Sequence, residues 1–172
     1  MHPNIIIKTG DITQEKACAV VNAANSSLMG GGGVDGAIHR AGGSHILEQC
    51  RKIREEQYPD GLPTGGAVAT TAGKMPAEYV IHTVGPIYRQ CGDNCASLLA
   101  SCYTNSLELA VKLGCKEIAF PAISTGIYGY PKEKAAHIAY QAVEHFLNGE
   151  NEIEVRFVFH NADDKEIFEK KI

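Results

Sequence analysis

The sequence predicts an α/β protein: a three-layer α/β/α sandwich around a mixed, mostly parallel sheet of about six strands. Three observations carry this expectation. Short runs rich in Val, Ile and Ala alternate along the chain with segments of helical periodicity, the pattern of strand–helix–strand crossovers. Gly, Pro, Asn and Asp gather between those segments, where the chain must turn. No repeat, low-complexity tract or linker interrupts the alternation, so residues 1–172 read as one domain, long enough to bury a substantial core.

Asn4 to Lys8 reads as a short strand around three consecutive isoleucines, and the first strand is the candidate for an antiparallel edge. Ala17 to Ala23 (ACAVVNA) is apolar at both parities, as a strand covered on both faces must be. The glycine-dense NSSLMGGGG follows as a loop. Val34 to Ala41 and Ser44 to Gln57 are helical, separated by Gly42-Gly43. YPDGLPTGG is dense in turn formers; Ala67 to Thr71 and Tyr79 to Val84 are strands, the second ended by Gly85-Pro86. Cys95 to Leu113 places Leu99, Cys102, Ser106, Leu109 and Leu113 at roughly helical spacing, with Cys102 in the core. Glu117 to Pro121 is a strand feeding AISTGIYGYP. Lys132 to Leu147 is a helix with Ala135, Ile138, Ala139, Ala142 and Phe146 on one face. Glu154 to His160 alternates as a strand, and Lys165 to Lys171 closes as a helix.

Composition narrows the function. A net charge of −4 and a pI near 6.0 argue against a nucleic-acid or membrane-surface partner, which calls for a basic face. MHPNIIIKTGD lacks the apolar core of a signal peptide, and no run approaches the ~20 residues of a membrane span. A cytoplasmic monomer is the expectation, with its six cysteines kept as thiols. Cys91 and Cys95 are spaced C-x₃-C without a companion pair, and no H-E-x-x-H occurs, so no metal site is expected. No Cys or Ser nucleophile shows a base partner.

Two loops stand out, each expected at the carboxyl end of a strand, where open α/β sheets bind ligands. One runs NSSLMGGGG into the helix near Val34; the other runs ISTGIYGYP into the helix near Pro131. Each offers backbone N–H groups and a helix N-terminus, which attract anions. A single such loop suits one phosphate; two on adjacent strands suit a diphosphate. GGGVDG at Gly31 to Gly36 matches G-x-G-x-x-G, but Asn25 to Met29 separate it from the strand, which does not fit a dinucleotide-binding turn. No G-x-x-x-x-G-K-[ST] is present.

Among the polar residues, Asp35 enters the first helix where a phosphate would sit. A carboxylate there is repelled, which suits a task such as orienting a water or a sugar hydroxyl. Asn25 has the donor and acceptor that a ribose diol needs, whereas the place of Asn22 within the strand suits buried bonding. Asp11 either caps the turn at Thr13 to Lys16 or meets a ligand. Tyr128 either packs on a sugar or covers its loop.

Six ordered blocks span essentially the whole chain: GDIT (Gly10 to Thr13), VNAAN (Val21 to Asn25), GGGGVDGAIHRAGG (Gly30 to Gly43), LPTGGAV (Leu62 to Val68), IHTVGPIY (Ile81 to Tyr88) and FPAISTGIYGYP (Phe120 to Pro131). Together they resemble a macrodomain of the MacroD-like branch. The resemblance implies ADP-ribose as ligand, with Asp11 accepting from the adenine amino group, assisted by the Ile12 backbone. It implies backbone amides of Gly32, Gly33 and Val34, and of Ser124, Thr125, Gly126, Ile127 and Tyr128, around the two phosphates. Asn25 and Tyr128 would meet the distal ribose, Asp35 that ribose or an attacking water, and His39 the same pocket. Asn22 joins this binding set. His160 stands where the family often has Tyr or Phe beside adenine. The implied activity, with Asn25 and Asp35 catalytic and no metal or redox cofactor, is hydrolysis of the ester between the distal ribose and a carboxylate. That ester occurs on mono-ADP-ribosylated Asp or Glu of proteins and in O-acetyl-ADP-ribose. A non-catalytic ADP-ribose reader and an ADP-ribose 1″-phosphate phosphatase are the alternatives.

Overall fold

The computed structural model describes residues 1–172. Six strands and five helices follow in the order β1 (Ile5–Thr9), β2 (Ala19–Ala24), α1 (Gly33–Gly42), α2 (Ser44–Glu56), β3 (Ala67–Thr71), β4 (Tyr79–Val84), α3 (Cys95–Lys112), β5 (Glu117–Phe120), α4 (Lys132–Leu147), β6 (Glu154–Phe159) and α5 (Ala162–Glu169). One sheet has the order β1-β6-β5-β2-β4-β3. Only the β3–β4 pair is antiparallel. The antiparallel edge is therefore β3 and not the first strand, which pairs parallel with β6. The connection from Ala72 to Glu78 holds no helix, and a chain returning by so short a path can pair only antiparallel.

Strand parity builds two cores. Ala19, Val21, Ile81, Ile118, Phe120, Val155 and Phe157 face α3, α4 and α5. Val20, Ala24, Val80, Val84 and Val158 face the other way, packing with Ile38 of α1 and with Ile46 and Cys50 of α2. The last helix starts three residues earlier than its periodicity predicts. Asn161 caps it, its side-chain oxygen accepting from the Asp164 N–H at 2.8 Å, and Asp163 and Asp164 in the first turn suit the helix dipole.

The expectation of six thiols is corrected as well. Cys18 is joined to Cys115 and Cys91 to Cys95, leaving only the buried Cys50 and Cys102 free. Cys18 and Cys115 lie 97 positions apart, but Cys18 directly precedes β2 and Cys115 stands two residues before its partner β5, which brings their Cα atoms to 5.4 Å. A short 3₁₀ turn at Gly92–Asn94 does the same for Cys91 and Cys95.

The connection leaving β2 runs through α1 and α2 to the β3–β4 side of the sheet, while the one leaving β5 runs through α4 to β6. The two neighbours thus send their chains in opposite directions. Between their carboxyl ends lies the crevice in which open α/β sheets bind ligands. The β2–β5 ladder contains only the pairs Ala19–Ile118 and Val20–Ala119, both near the amino ends.

Candidate functional site

At that crevice the two loops enclose a cavity of about 310 Å³. Asn25, Gly32, Gly33, Val34 and Asp35 line it from the β2 side; Ser124, Gly126, Ile127 and Tyr128 line it from the β5 side, with Gly85 beneath. No Lys or Arg is among its lining residues. The positive potential for an anion must therefore come from backbone N–H groups. Gly32 caps α1 without any side-chain bond, so the first amides of α1 remain free at the cavity. On the β5 side the loop itself lines the cavity, and α4 begins away from it: Lys132 and Ala135 line a separate small cavity together with Thr125. Of Ser124 to Tyr128, the residues expected around a phosphate, Thr125 alone does not line the cavity.

Each loop holds one non-glycine residue in the left-handed region, Leu28 (φ 60°) and Ser124 (φ 67°). Such a conformation costs on the order of 1–2 kcal/mol and concentrates at ligand sites. The neighbouring structure enforces it. Gly85 lies so close under the second loop that a Cβ there would overlap Ser124 Oγ and Ile123. The buried Ser124 hydroxyl has no protein partner. In the first loop, Asn25 Nδ2 donates to the Gly30 carbonyl at 3.0 Å and Ser27 Oγ donates to Asn25 Oδ1, closing the turn. Arg54, which the sequence does not single out, straps the same loop by donating to the Ser27 carbonyl at 2.7 Å and to the Tyr58 and Pro59 carbonyls. A side chain at Gly31 would stand 3.1 Å from Asp35 Oδ2 and 3.3 Å from Asn25 Nδ2, so the absent Cβ there makes room for these two groups.

Asp35 is 5% exposed. Its Oδ1 accepts from Asn22 Nδ2 at 2.8 Å and lies 3.4 Å from His39 Nε2. Asn22 itself is wholly buried beneath the cavity and reaches it only through Asp35. Behind it stands His82, paired with Asn22 across the parallel β2–β4 ladder and missed by sequence reasoning. Its Nδ1 is 3.1 Å from Asn22 Nδ2 and its Nε2 2.9 Å from Thr70 Oγ1. Burial, then the nearby His39, hold the His82 pKa down to about 3, so the ring is neutral at physiological pH. Burial and the Asp35 charge push the Cys50 thiol up to about 12, so it is inert as a nucleophile. His39, Cys50 and His82 bring possible ligand atoms within 4.8 Å of one another. Both ring nitrogens of His82 are already within hydrogen-bond reach of polar side chains, so the group fits a hydrogen-bonded network rather than a metal centre.

Asp11 and His160 sit at the tips of β1 and β6, adjacent parallel strands joined there by the bond from the Gly10 N–H to the Phe159 carbonyl. The Thr13 hydroxyl and N–H both donate to Asp11 Oδ1, at 2.7 and 2.9 Å, and they hold its carboxyl below the usual range, with His160 adding to the effect. Ile12 is buried in the core beside α1. From β1 to β2 the sheet edge spans three strand intervals, about 14 Å at ~4.8 Å each. Asp11 and His160 occupy one end of that track and the two-loop cavity occupies the other.

The crevice of a mostly parallel α/β sheet thus carries two glycine-bearing loops and a buried carboxylate. The Macro domain family model matches residues 21–139, and the chain belongs to that family. It is 56% identical over 147 residues to a protein of Escherichia fergusonii named O-acetyl-ADP-ribose deacetylase, an alignment covering 86% of this chain and 82% of the relative. It superposes on the Oceanobacillus iheyensis macrodomain, solved as a glycine-to-valine mutant with ADPR, at TM-score 0.93 and 44% identity, covering 96% of this chain and 89% of that one. The Trypanosoma brucei macrodomain in complex with ADP-ribose gives TM-score 0.86 and 38% identity over 97% of this chain and 68% of that one.

Proposed function

We propose that the chain binds ADP-ribose and hydrolyses the ester joining its distal ribose to a carboxylate, in O-acetyl-ADP-ribose or on mono-ADP-ribosylated Asp and Glu side chains. The observation that carries this reading is the cavity itself: two amide-bearing loops around a space without a basic side chain, with Asp35 buried in its wall. A diphosphate there would take the free N–H groups. The track toward Asp11 and His160 has the length for the adenosine half, and the distal ribose would lie against Asn25 and Asp35. The deacetylase name of the Escherichia fergusonii relative supports the same chemistry.

In this mechanism a water is held between the substrate phosphate and Asp35. Either group takes its proton while the water oxygen attacks the ester; ADP-ribose and the free carboxylic acid leave. Loop amides are placed to stabilise the developing negative charge, and positioned general-base help contributes ~10²–10⁴-fold. Asp35→Ala is expected to retain ADP-ribose binding by calorimetry while acetate release from O-acetyl-ADP-ribose falls at least about tenfold. Wild-type protein that binds ADP-ribose but releases neither acetate nor protein-linked ADP-ribose would be a reader. Faster release of phosphate from ADP-ribose 1″-phosphate than of acetate would make it a phosphatase.

A further inference from the structure

We infer that His82 and Thr70 are positioning residues for Asp35, acting through Asn22 as a directional hydrogen-bond chain that runs from the edge strand to the cavity. The inference rests on the hydrolase reading above. The direction of every bond follows from the geometry. Asn22 must present its amide nitrogen to Asp35 Oδ1 at 2.8 Å, because only a donor fits a carboxylate oxygen at that distance. The same nitrogen lies 3.1 Å from His82 Nδ1, which therefore accepts the second amide proton and is the bare ring nitrogen. His82 Nε2 then carries the ring proton and donates it to Thr70 Oγ1 at 2.9 Å. Thr70 passes its own hydroxyl proton to the Thr71 carbonyl, also at 2.9 Å.

The chain ends in a fixed backbone acceptor. Asn22 Oδ1 has no partner, but turning the amide over would set that oxygen against the Asp35 carboxylate. Asn22, His82 and Thr70 are 0%, 0% and 3% exposed, which keeps water from substituting for any link. The groups facing this chain are Asp35, His39 and Cys50. Cys50 Sγ, 3.8 Å from His82 Nε2, is no rival acceptor of comparable strength to the Thr70 oxygen. Any buried imidazole needs a partner at each ring nitrogen; here one of those partners, Asn22, is also the group that holds Asp35 Oδ1.

Two measurements on the full chain test this. Nitrogen-15 NMR of wild-type protein should show His82 as the Nε2–H tautomer, without titration between pH 5 and 8. Thr70→Val preserves shape and strand preference but removes the acceptor. It should lower kcat for O-acetyl-ADP-ribose on the order of tenfold, with KM and ADP-ribose affinity within about twofold, because the attack geometry alone is disturbed. Thr70→Ser should restore kcat. An Nδ1–H tautomer would overturn the inference, since Nδ1 could not then accept from Asn22. So would a folded Thr70→Val enzyme with wild-type kcat, or one whose loss falls on KM alone. Wild-type protein with the expected tautomer but no turnover would instead bring down the hydrolase reading, and the positioning role with it, while the network itself stood.

Discussion

Asp35 occupies a position that electrostatics alone disfavours. At ~6 Å, a carboxylate and a phosphate repel by about 3 kcal/mol at an effective dielectric of ~20. The structure offsets this with the Asn22 amide on Oδ1 and the free N–H groups at the start of α1. Asp11 differs in kind: it lies near the surface, anchored by Thr13. The sequence leaves cap and ligand as alternatives; the cap is present, and a ligand contact would use a different lone pair of the same carboxylate. Only Oδ1 takes the Thr13 bonds, which leaves Oδ2 for an adenine amino group. Removing it should cost about tenfold in affinity, the size of one charge-assisted hydrogen bond. Calorimetry on Asp11→Ala is therefore expected to show that loss for ADP-ribose and for AMP, and none for ribose 5-phosphate. Equal weakening of all three ligands would locate the effect in the fold instead.

The loops after β2 and β5 are where local sequence was most informative, because dense Gly, Ser and Asn after an apolar run leaves little besides a close backbone approach. The boundaries of β3, β4 and α4 match periodicity residue for residue. Neighbour order was not readable, since it depends on long-range pairing such as Asn22 with His82 or Cys18 with Cys115. For the same reason His82 reads from sequence as one more strand residue: its significance exists only across the ladder. Gly85 likewise reads from sequence as a strand terminator, whereas its second role is to let the β5 loop settle above it. Gly85→Ala should push that loop upward. The expected outcome is a stability loss of about 1–3 kcal/mol, typical of overpacking, and at least tenfold weaker ADP-ribose binding. Urea unfolding beside calorimetry measures both; unchanged binding would mean that the loop does not shape the pocket.

At the scale of the whole molecule, the buried imidazole makes stability depend on pH. His82 binds its proton with a pKa of about 3 when folded and near 6.5 when unfolded. Between those values the unfolded chain holds a proton that the folded chain does not, so stability rises with pH. The contribution is complete above pH 6.5 and is lost as pH falls toward 3. Asp11, lowered from 3.8, adds its own loss only at more acid pH. Denaturant unfolding at pH 7 and pH 5 should therefore show wild type losing about 2 kcal/mol, at ~1.4 kcal/mol per unit below 6.5, with His82→Gln spared that loss. Equal acid sensitivity of the two proteins would contradict the neutral buried ring. The Cys18–Cys115 crosslink bears on the molecule in another way, because it ties the starts of the two strands whose far tips carry the cavity loops. Like the rivet of a pair of tongs, it stops either arm from sliding along its neighbour. A slip of one residue, ~3.3 Å, would otherwise carry one jaw past the other and spoil the grip on a paired anion.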